Sequence, residues 1–191
     1  MREIVLMCAA MQRRSGRGCR VRRKRENKMR QRSTKHITTF GMLTALAFIL
    51  SYVETLIPFS FGIPGIKLGL ANVVVLTALY LLGTGEAFCL SLVRIILAGF
   101  TFGNLYSMFY SLAGGVLSLC VMAFLKKTGK FTPMGVSAAG GVFHNVGQIV
   151  VAGLVLGRNI AYYFPFLMVS GIITGLAVGL TGGLVIKRLR L

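Results

Sequence analysis

Long apolar runs follow one another from Ile37 to Ile186, separated by short polar turns, and they constrain this chain more than any other feature. Each run approaches the roughly 20 residues that a helix needs to cross a bilayer. Hydrophobic residues make up 55% of the chain, charged residues 14%, and the mean hydropathy is +0.76. Soluble domains are roughly 25% charged. The sequence therefore predicts an integral membrane protein.

The number of runs predicts an all-α membrane bundle of six transmembrane helices. This transmembrane domain covers residues 36–191 and follows a basic tail, residues 1–35, that is expected to be disordered. The predicted spans, with approximate bounds, are 37–57, 66–82, 86–102, 104–125, 133–156 and 160–186.

Positive charge is concentrated in the tail, which holds 13 of the 22 Lys and Arg residues. Beside a membrane domain, such a tail is expected to stay in the cytoplasm and to contact anionic lipid rather than nucleic acid. An alternative start at Met29 would remove much of the tail, and the sequence leaves that choice open. Six spans place both chain ends in the cytoplasm. The basic turn at 126–130 and the basic C-terminus then lie on that same side.

Acidic residues are too few for several kinds of catalysis. The chain has no Asp, and its four acidic residues are Glu3, Glu26, Glu54 and Glu86. Magnesium-dependent diphosphate chemistry and paired-carboxylate hydrolysis both need more carboxylates than this. The four cysteines form no CxxC pair, and no phosphate-binding G-x-x-x-x-G-K-[ST] motif occurs. We therefore predict a protein that is not an enzyme and that holds no metal or cofactor.

The segment from Glu54 to Asn72 breaks two apolar runs with Pro58, Gly62, Pro64 and Gly65. Irregular backbone at membrane depth has to be enclosed by protein or to line a cavity. This segment is therefore predicted to form a lid over a binding site.

Three charged residues fall within or at the ends of spans: Glu54, Lys67 and Arg94. Each costs about 2.5–3.5 kcal/mol on insertion scales unless it is paired or solvated. The predicted topology brings all three into the outer half of the bundle. Two interpretations stay open. One is an internal set of ion pairs, and the other is a ligand site whose surplus positive charge suits an anionic small molecule.

Polar uncharged residues add further candidate ligand contacts. His144, Asn145 and Gln148 are spaced to share one face of a helix, where they would contact a ligand or join helices by hydrogen bonds. Asn72 ends the segment of the predicted lid, and Asn104 lies at the outer start of the fourth span. The sixth span repeats a glycine every fourth residue, which is typical of close helix contact within the molecule. This ridge comprises Gly171, Gly175, Gly179 and Gly183.

Six stretches of the chain resemble the Gx transporter family, which is also named heptaprenyl diphosphate synthase component I. They are GMLTALAFILSYVE, IPGIKLGLAN, LVRIILAG, FGN, SLAGG and HNVGQ. That family is similar to the substrate-binding S components of energy-coupling factor transporters. The resemblance covers about residues 36–188 and leaves out the basic tail.

The resemblance implies a multi-pass subunit of a bacterial cell membrane that captures a small molecule from outside. Its implied partners are a transmembrane coupling protein and paired ATPases. S components commonly meet the coupling protein through an Ala-x-x-x-Ala face on the first helix, and the matching positions here are Gly41 and Ala45. Two alternatives remain. The chain could be a non-catalytic membrane subunit in heptaprenyl diphosphate synthesis, or a structural anchor for a membrane redox complex.

Overall fold

The computed structural model describes residues 34–56, 69–156 and 164–189, and within them the chain is helical and has no strand. The helices are α1 (Thr34–Leu56), α2 (Leu70–Leu81), α3 (Thr84–Thr101), α4 (Leu105–Thr128), α5 (Pro133–Leu156) and α6 (Phe164–Leu189). All of these except α2 are long and apolar enough to cross a membrane, by length and composition. The chain is thus a helical, multi-pass membrane protein. Residues 1–33 of the predicted tail lie outside the described residues, so the domain boundary stays a prediction.

Helix α2 differs from the second span that the sequence predicts. The prediction starts this span at residue 66, whereas the helix starts at Leu70, after Gly69. Gly69 has φ +72°, a left-handed conformation that glycine adopts without steric cost and that interrupts a right-handed helix. The 12 residues of α2 span about 18 Å, less than the ~30 Å hydrocarbon core. The six predicted helices are present, but a count of six complete spans is not confirmed.

Burial explains how so short an apolar helix is accommodated. Seven of its residues are buried, at 71 and from 74 to 79. Five of them, Val74, Val75, Leu76, Ala78 and Leu79, join Leu43 and Ala47 of α1 in the main hydrophobic cluster. A helix that is apolar on all sides is stable where neighbours surround it. Helix α2 therefore lies in the core of the bundle.

Five helices close a ring. Helix α2 contacts α3, α3 contacts α4, α4 contacts α5, α5 contacts α6, and α6 contacts α2 again. Helix α1 packs against this set through Leu43 and Ala47. The ring brings residues that are far apart in the sequence around one central space.

The contact between α5 and α6 is made largely of backbone. A Cβ atom on Gly175 would lie 2.8 Å from Ala138 Cα, and one on Gly179 would lie 2.7 Å from Met134 Cα. Gly171 packs equally closely on Gly141. The predicted glycine ridge is confirmed as an intramolecular contact at these three positions. It does not extend to Gly183, because a Cβ there would meet no atom within 4 Å.

Lys126 of α4 stabilises the C-terminal end of α2. Its Nζ atom donates a hydrogen bond to the Leu79 carbonyl and lies 5.3 Å from the centroid of the Tyr80 ring. The last carbonyls of a helix lack intrahelical donors and carry partial negative charge, so a cation there is favourable. The buried helix α2 thus receives from α4 a donor that lipid could not supply.

We expect Lys126→Met to lower the free energy of unfolding by about 1–3 kcal/mol, because it removes a charged donor from a buried carbonyl. Denaturation with SDS in mixed micelles measures this quantity. Lys127→Met is the matched control, since Lys127 is the next residue and is exposed. We expect a change of about 0.5 kcal/mol or less for it. Equal losses for the two variants would contradict the assignment.

Candidate functional site

A cavity of about 460 Å³ lies inside the bundle and is lined by residues from all six helices. Its volume is in the range of small-molecule sites. Apolar lining residues such as Ile95, Met108 and Val178 alternate with many polar ones. The polar lining residues are Ser51, Glu54, Thr55, Asn72, Arg94, Asn104, Ser107, Ser111, Ser118, Ser137, His144, Asn145 and Thr174.

Most of the predicted site residues meet at this cavity. Glu54, Asn72, Arg94, Asn104, His144 and Asn145 all line it. Gln148 is buried but is not part of the lining. Lys67 and most of the predicted lid, residues 57–68, lie outside the described residues. The structure thus brings six predicted residues together, while their contact with a ligand stays a prediction.

Glu54 joins the end of α1 to the start of α2. Its Oε1 atom accepts a hydrogen bond from the backbone N–H of Gly69, the N-cap residue of α2. A helix start carries unpaired N–H groups and partial positive charge, which favours a carboxylate at this position. The sequence predicted a polar site here but not this backbone contact, because it depends on how α1 and α2 meet.

Arg94 of α3 retains hydrogen-bonding capacity inside the bundle. Its Nη2 atom donates to Asn72 Oδ1 at 3.1 Å. Its Nε atom is buried and has no hydrogen-bond partner among the described residues. Leaving a buried donor unpaired costs about 1–3 kcal/mol. A guanidinium offers five N–H donors, so this one can bind a further acceptor.

The pairing of Glu54 with Arg94 is electrostatic rather than a shared hydrogen bond. The Glu54 carboxylate attracts the Arg94 guanidinium. The hydrogen bonds that the structure gives them go elsewhere, to Gly69 and to Asn72. Between these two residues the charges balance, which agrees with the ion-pair interpretation, and guanidinium donors remain available; the ligand-site interpretation stays a prediction.

Asn145 serves helix packing as well as lining the cavity. It is 9% exposed, and its Nδ2 atom donates to the carbonyl of Leu167 in α6, with Ser170 Oγ 3.5 Å away. A Cβ added to Gly171 would come within 2.7 Å of this same Nδ2 atom. The hydrogen bond therefore fits into the glycine contact between α5 and α6, as the helix-joining interpretation predicts.

His144 and Gln148 pack against α4 rather than α6. A Cβ on Gly114 would meet the His144 carbonyl oxygen, its Nδ1 atom and Gln148 Cγ at 2.6–3.1 Å. The Gln148 Oε1 atom is buried and has no partner among the described residues. The predicted trio is therefore divided between two neighbouring helices, and Gln148 lies behind the lining rather than in it.

Asn104 has a structural role that accounts for its position. It is the N-cap of α4, and its Oδ1 atom accepts a hydrogen bond from Ser107 N at 2.7 Å. Asn is among the preferred residues at this position, so the signal was readable in the sequence. Nearby, the Phe102 ring lies 5.0 Å from Phe48 and 5.1 Å from Tyr52, which joins α1 to the turn between α3 and α4.

Two serines of the cavity escaped prediction as ligand contacts. Ser118 of α4 and Ser137 of α5 are 7% and 4% exposed and line the cavity. Serine hydroxyls inside helices commonly donate a hydrogen bond to the backbone carbonyl one turn earlier, as Ser51 does to Ala47. Ser118 and Ser137 make no side-chain hydrogen bond to the described residues. The sequence does not distinguish a serine that lines a cavity from one that packs between helices, because the difference depends on where the neighbouring helix lies.

The predicted docking positions lie on the open side of α1. Gly41 and Ala45 are both exposed, and a Cβ on Gly41 would meet no atom within 4 Å. Met42, Leu46 and Ile49 are exposed as well, at 67%, 45% and 56%. The small residues are therefore not used in the described intramolecular packing. That a partner binds there stays a prediction.

The family model described as heptaprenyl diphosphate synthase component I matches residues 43–185. These residues include every residue that lines the cavity. Curated proteins and solved structures give no match.

Proposed function

The chain belongs to the heptaprenyl diphosphate synthase component I family, and from this premise we propose that it is a substrate-binding membrane subunit for uptake of a small polar molecule. The observation that carries the proposal is the 460 Å³ cavity inside helices of membrane length. Polar groups at the centre of a membrane-embedded bundle are energetically costly unless they pair with each other or bind a ligand.

The character of the lining favours a water-soluble ligand over a prenyl chain. Hydroxyl, amide, imidazole and charged side chains from every helix face the cavity. A prenyl chain would offer no acceptor to the donors that have none among the described residues, namely further N–H groups of Arg94 and the hydroxyls of Ser118 and Ser137, at a cost of about 1–3 kcal/mol each. A small polar molecule would satisfy them.

Energy for uptake would come from partners. The sequence has no nucleotide-binding P-loop motif, so we assign ATP hydrolysis to separate ATPases that act through a transmembrane coupling protein. The exposed small face at Gly41 and Ala45 offers a place for that protein to pack closely. In this proposal the membrane is that of a bacterial cell, the chain crosses it six times, and both chain ends are cytoplasmic.

We expect Gly41→Leu to abolish co-purification with the coupling protein while the variant stays folded, because the new side chain has open space in the isolated subunit. An affinity tag on this chain and quantification of the coupling protein in the eluate measure the effect. Gly183→Leu is the matched control, since a Cβ there also meets nothing within 4 Å but lies on α6. Normal co-purification of Gly41→Leu would rule out this docking face.

The family description supports a second candidate, a non-catalytic membrane subunit in heptaprenyl diphosphate synthesis. Catalysis by this chain itself is disfavoured, because diphosphate chemistry needs carboxylates to hold magnesium. Among the described residues, no group of three or more His, Cys, Asp or Glu side chains is placed to bind a metal ion.

One experiment separates the two functions. The protein is purified, unfolded, and the released small molecules are identified by mass spectrometry. A water-soluble compound supports uptake, whereas a prenyl diphosphate supports the synthase role. In parallel, a heptaprenyl diphosphate synthase reaction is run with and without this chain. Unchanged product lengths would exclude the second function.

A further inference from the structure

Among the groups that line the cavity, several hydrogen-bond acceptors already have protein donors, whereas several donors have no described acceptor. The Oε1 atom of Glu54 accepts from Gly69 N, Asn72 Oδ1 accepts from Arg94, and Asn104 Oδ1 accepts from Ser107 N. These strong acceptor atoms therefore already have protein donors. A ligand that offers mainly donors would have to compete with them.

The strong donors of the lining, in contrast, have few described hydrogen-bond acceptors. Arg94 donates one described hydrogen bond, through Nη2, and its Nε atom is unpartnered among the described residues. Ser118 and Ser137 are buried residues that line the cavity, and their hydroxyls donate to no described residue. The cavity thus complements a ligand that is rich in acceptors.

The described lining carries one Arg and one Glu side chain. Among the described lining residues, Arg94 is the single Lys or Arg, and Glu54 attracts it. A guanidinium matches one planar carboxylate in a bidentate fork. A diphosphate has at least two charges, and it would meet the repulsion of Glu54 with one described cation to offset it.

We propose that the cavity binds a small polar monocarboxylate whose carboxylate group pairs with Arg94, and that Ser118 or Ser137 donates a hydrogen bond to an acceptor of the same ligand. This inference rests on the proposed function, because it names the class of ligand taken by the same cavity. It goes further in choosing a carboxylate over phosphate, diphosphate and uncharged ligands.

The test uses the purified full-length protein in lipid nanodiscs and a panel of matched compounds. Each water-soluble carboxylate is paired with its primary amide, and phosphate esters, inorganic pyrophosphate and isopentenyl diphosphate complete the panel. Thermal unfolding finds the compounds that bind, and isothermal titration gives their dissociation constants. We expect stabilisation by one or more carboxylates, with their amides about 10- to 100-fold weaker.

Arg94 variants test the assigned contact. We expect Arg94→Gln to remove the preference for carboxylate over amide, and Arg94→Lys to retain charge but weaken carboxylate binding about tenfold. The ratio of carboxylate to amide affinity is measured within each variant, so a general loss of stability does not produce this result. Arg188→Gln, an exposed arginine at the end of α6, is the control and should keep the ratio. Ser118→Ala and Ser137→Ala should each weaken binding about threefold to tenfold.

The outcomes separate this inference from the function on which it rests. Binding of amides, phosphates or diphosphates in preference to carboxylates overturns the carboxylate assignment and leaves a ligand-binding subunit in place. Carboxylate binding that survives Arg94→Gln with its ratio unchanged also overturns the assignment. Absence of any bound compound, in the panel and in material released from the purified protein, overturns both proposals.

Discussion

Replacing Gly175 by alanine is expected to lower the free energy of unfolding by about 2–3 kcal/mol. The new methyl group would lie 2.8 Å from both Ala138 Cα and the Ser137 carbonyl oxygen. Both are backbone atoms, so α5 and α6 have to move apart, and overpacking of this kind costs about 1–3 kcal/mol or more. Unfolding with SDS in mixed micelles gives the free energy directly.

Gly183→Ala is the matched control, because Gly183 lies in the same helix and a Cβ there meets nothing within 4 Å. Alanine is favoured over glycine inside a helix by about 1 kcal/mol, so we expect this variant to be unchanged or slightly more stable. If both substitutions had the same effect, the close backbone contact at Gly175 would not be a determinant of stability.

Glu54→Gln is expected to cost about 2–3 kcal/mol of unfolding free energy. Glutamine keeps an oxygen that can accept from Gly69 N, but it loses the charge that attracts Arg94. The partly buried Arg94 then lacks the negative charge of Glu54. Removing one member of such a pair is destabilising because it leaves the other charge uncompensated. Glu86→Gln is the control for loss of a carboxylate near a helix start, and about 0.3–1 kcal/mol is expected for it.

The double variant Glu54→Gln/Arg94→Gln tests the cause. If charge compensation is the reason, the two losses are not additive, and the double variant is more stable than their sum predicts by about 1–2 kcal/mol. Strict additivity would show that Glu54 does not act through Arg94. Unfolding of all four proteins under the same micelle composition supplies the cycle.

Sequence patterns predicted the helices well because apolar length is a local property. The fifth span was predicted at 133–156 and the helix has these bounds. The second span was wrong at its start, since nothing local distinguishes residue 66 from Leu70 as a first helical residue. Gly69 sets that start through its backbone conformation, and many other glycines of this chain lie inside helices.

The candidate site was predictable in its charged members and not in its contacts. Glu54 and Arg94 are conspicuous because ionisable residues are costly in a span, and both line the cavity. Ser118 and Ser137 are small and compatible with packing, so their place in the cavity depends on the neighbouring helices. Lys126 at the end of α2 was equally hidden, because its partner Leu79 lies in another part of the sequence.

Where two helices contact each other through backbone atoms, a change of side-chain rotamer cannot open the contact. At Gly141 and Gly171 the backbones of α5 and α6 are in contact, and the Asn145 side chain beside them is held by its hydrogen bond to the Leu167 carbonyl, so these two helices form a stiff wall. Across the bundle, the contact of α1 with Phe102 is made of aromatic rings, which can turn. We therefore expect a passage into the cavity to open more easily between α1 and the turn after α3 than between α5 and α6.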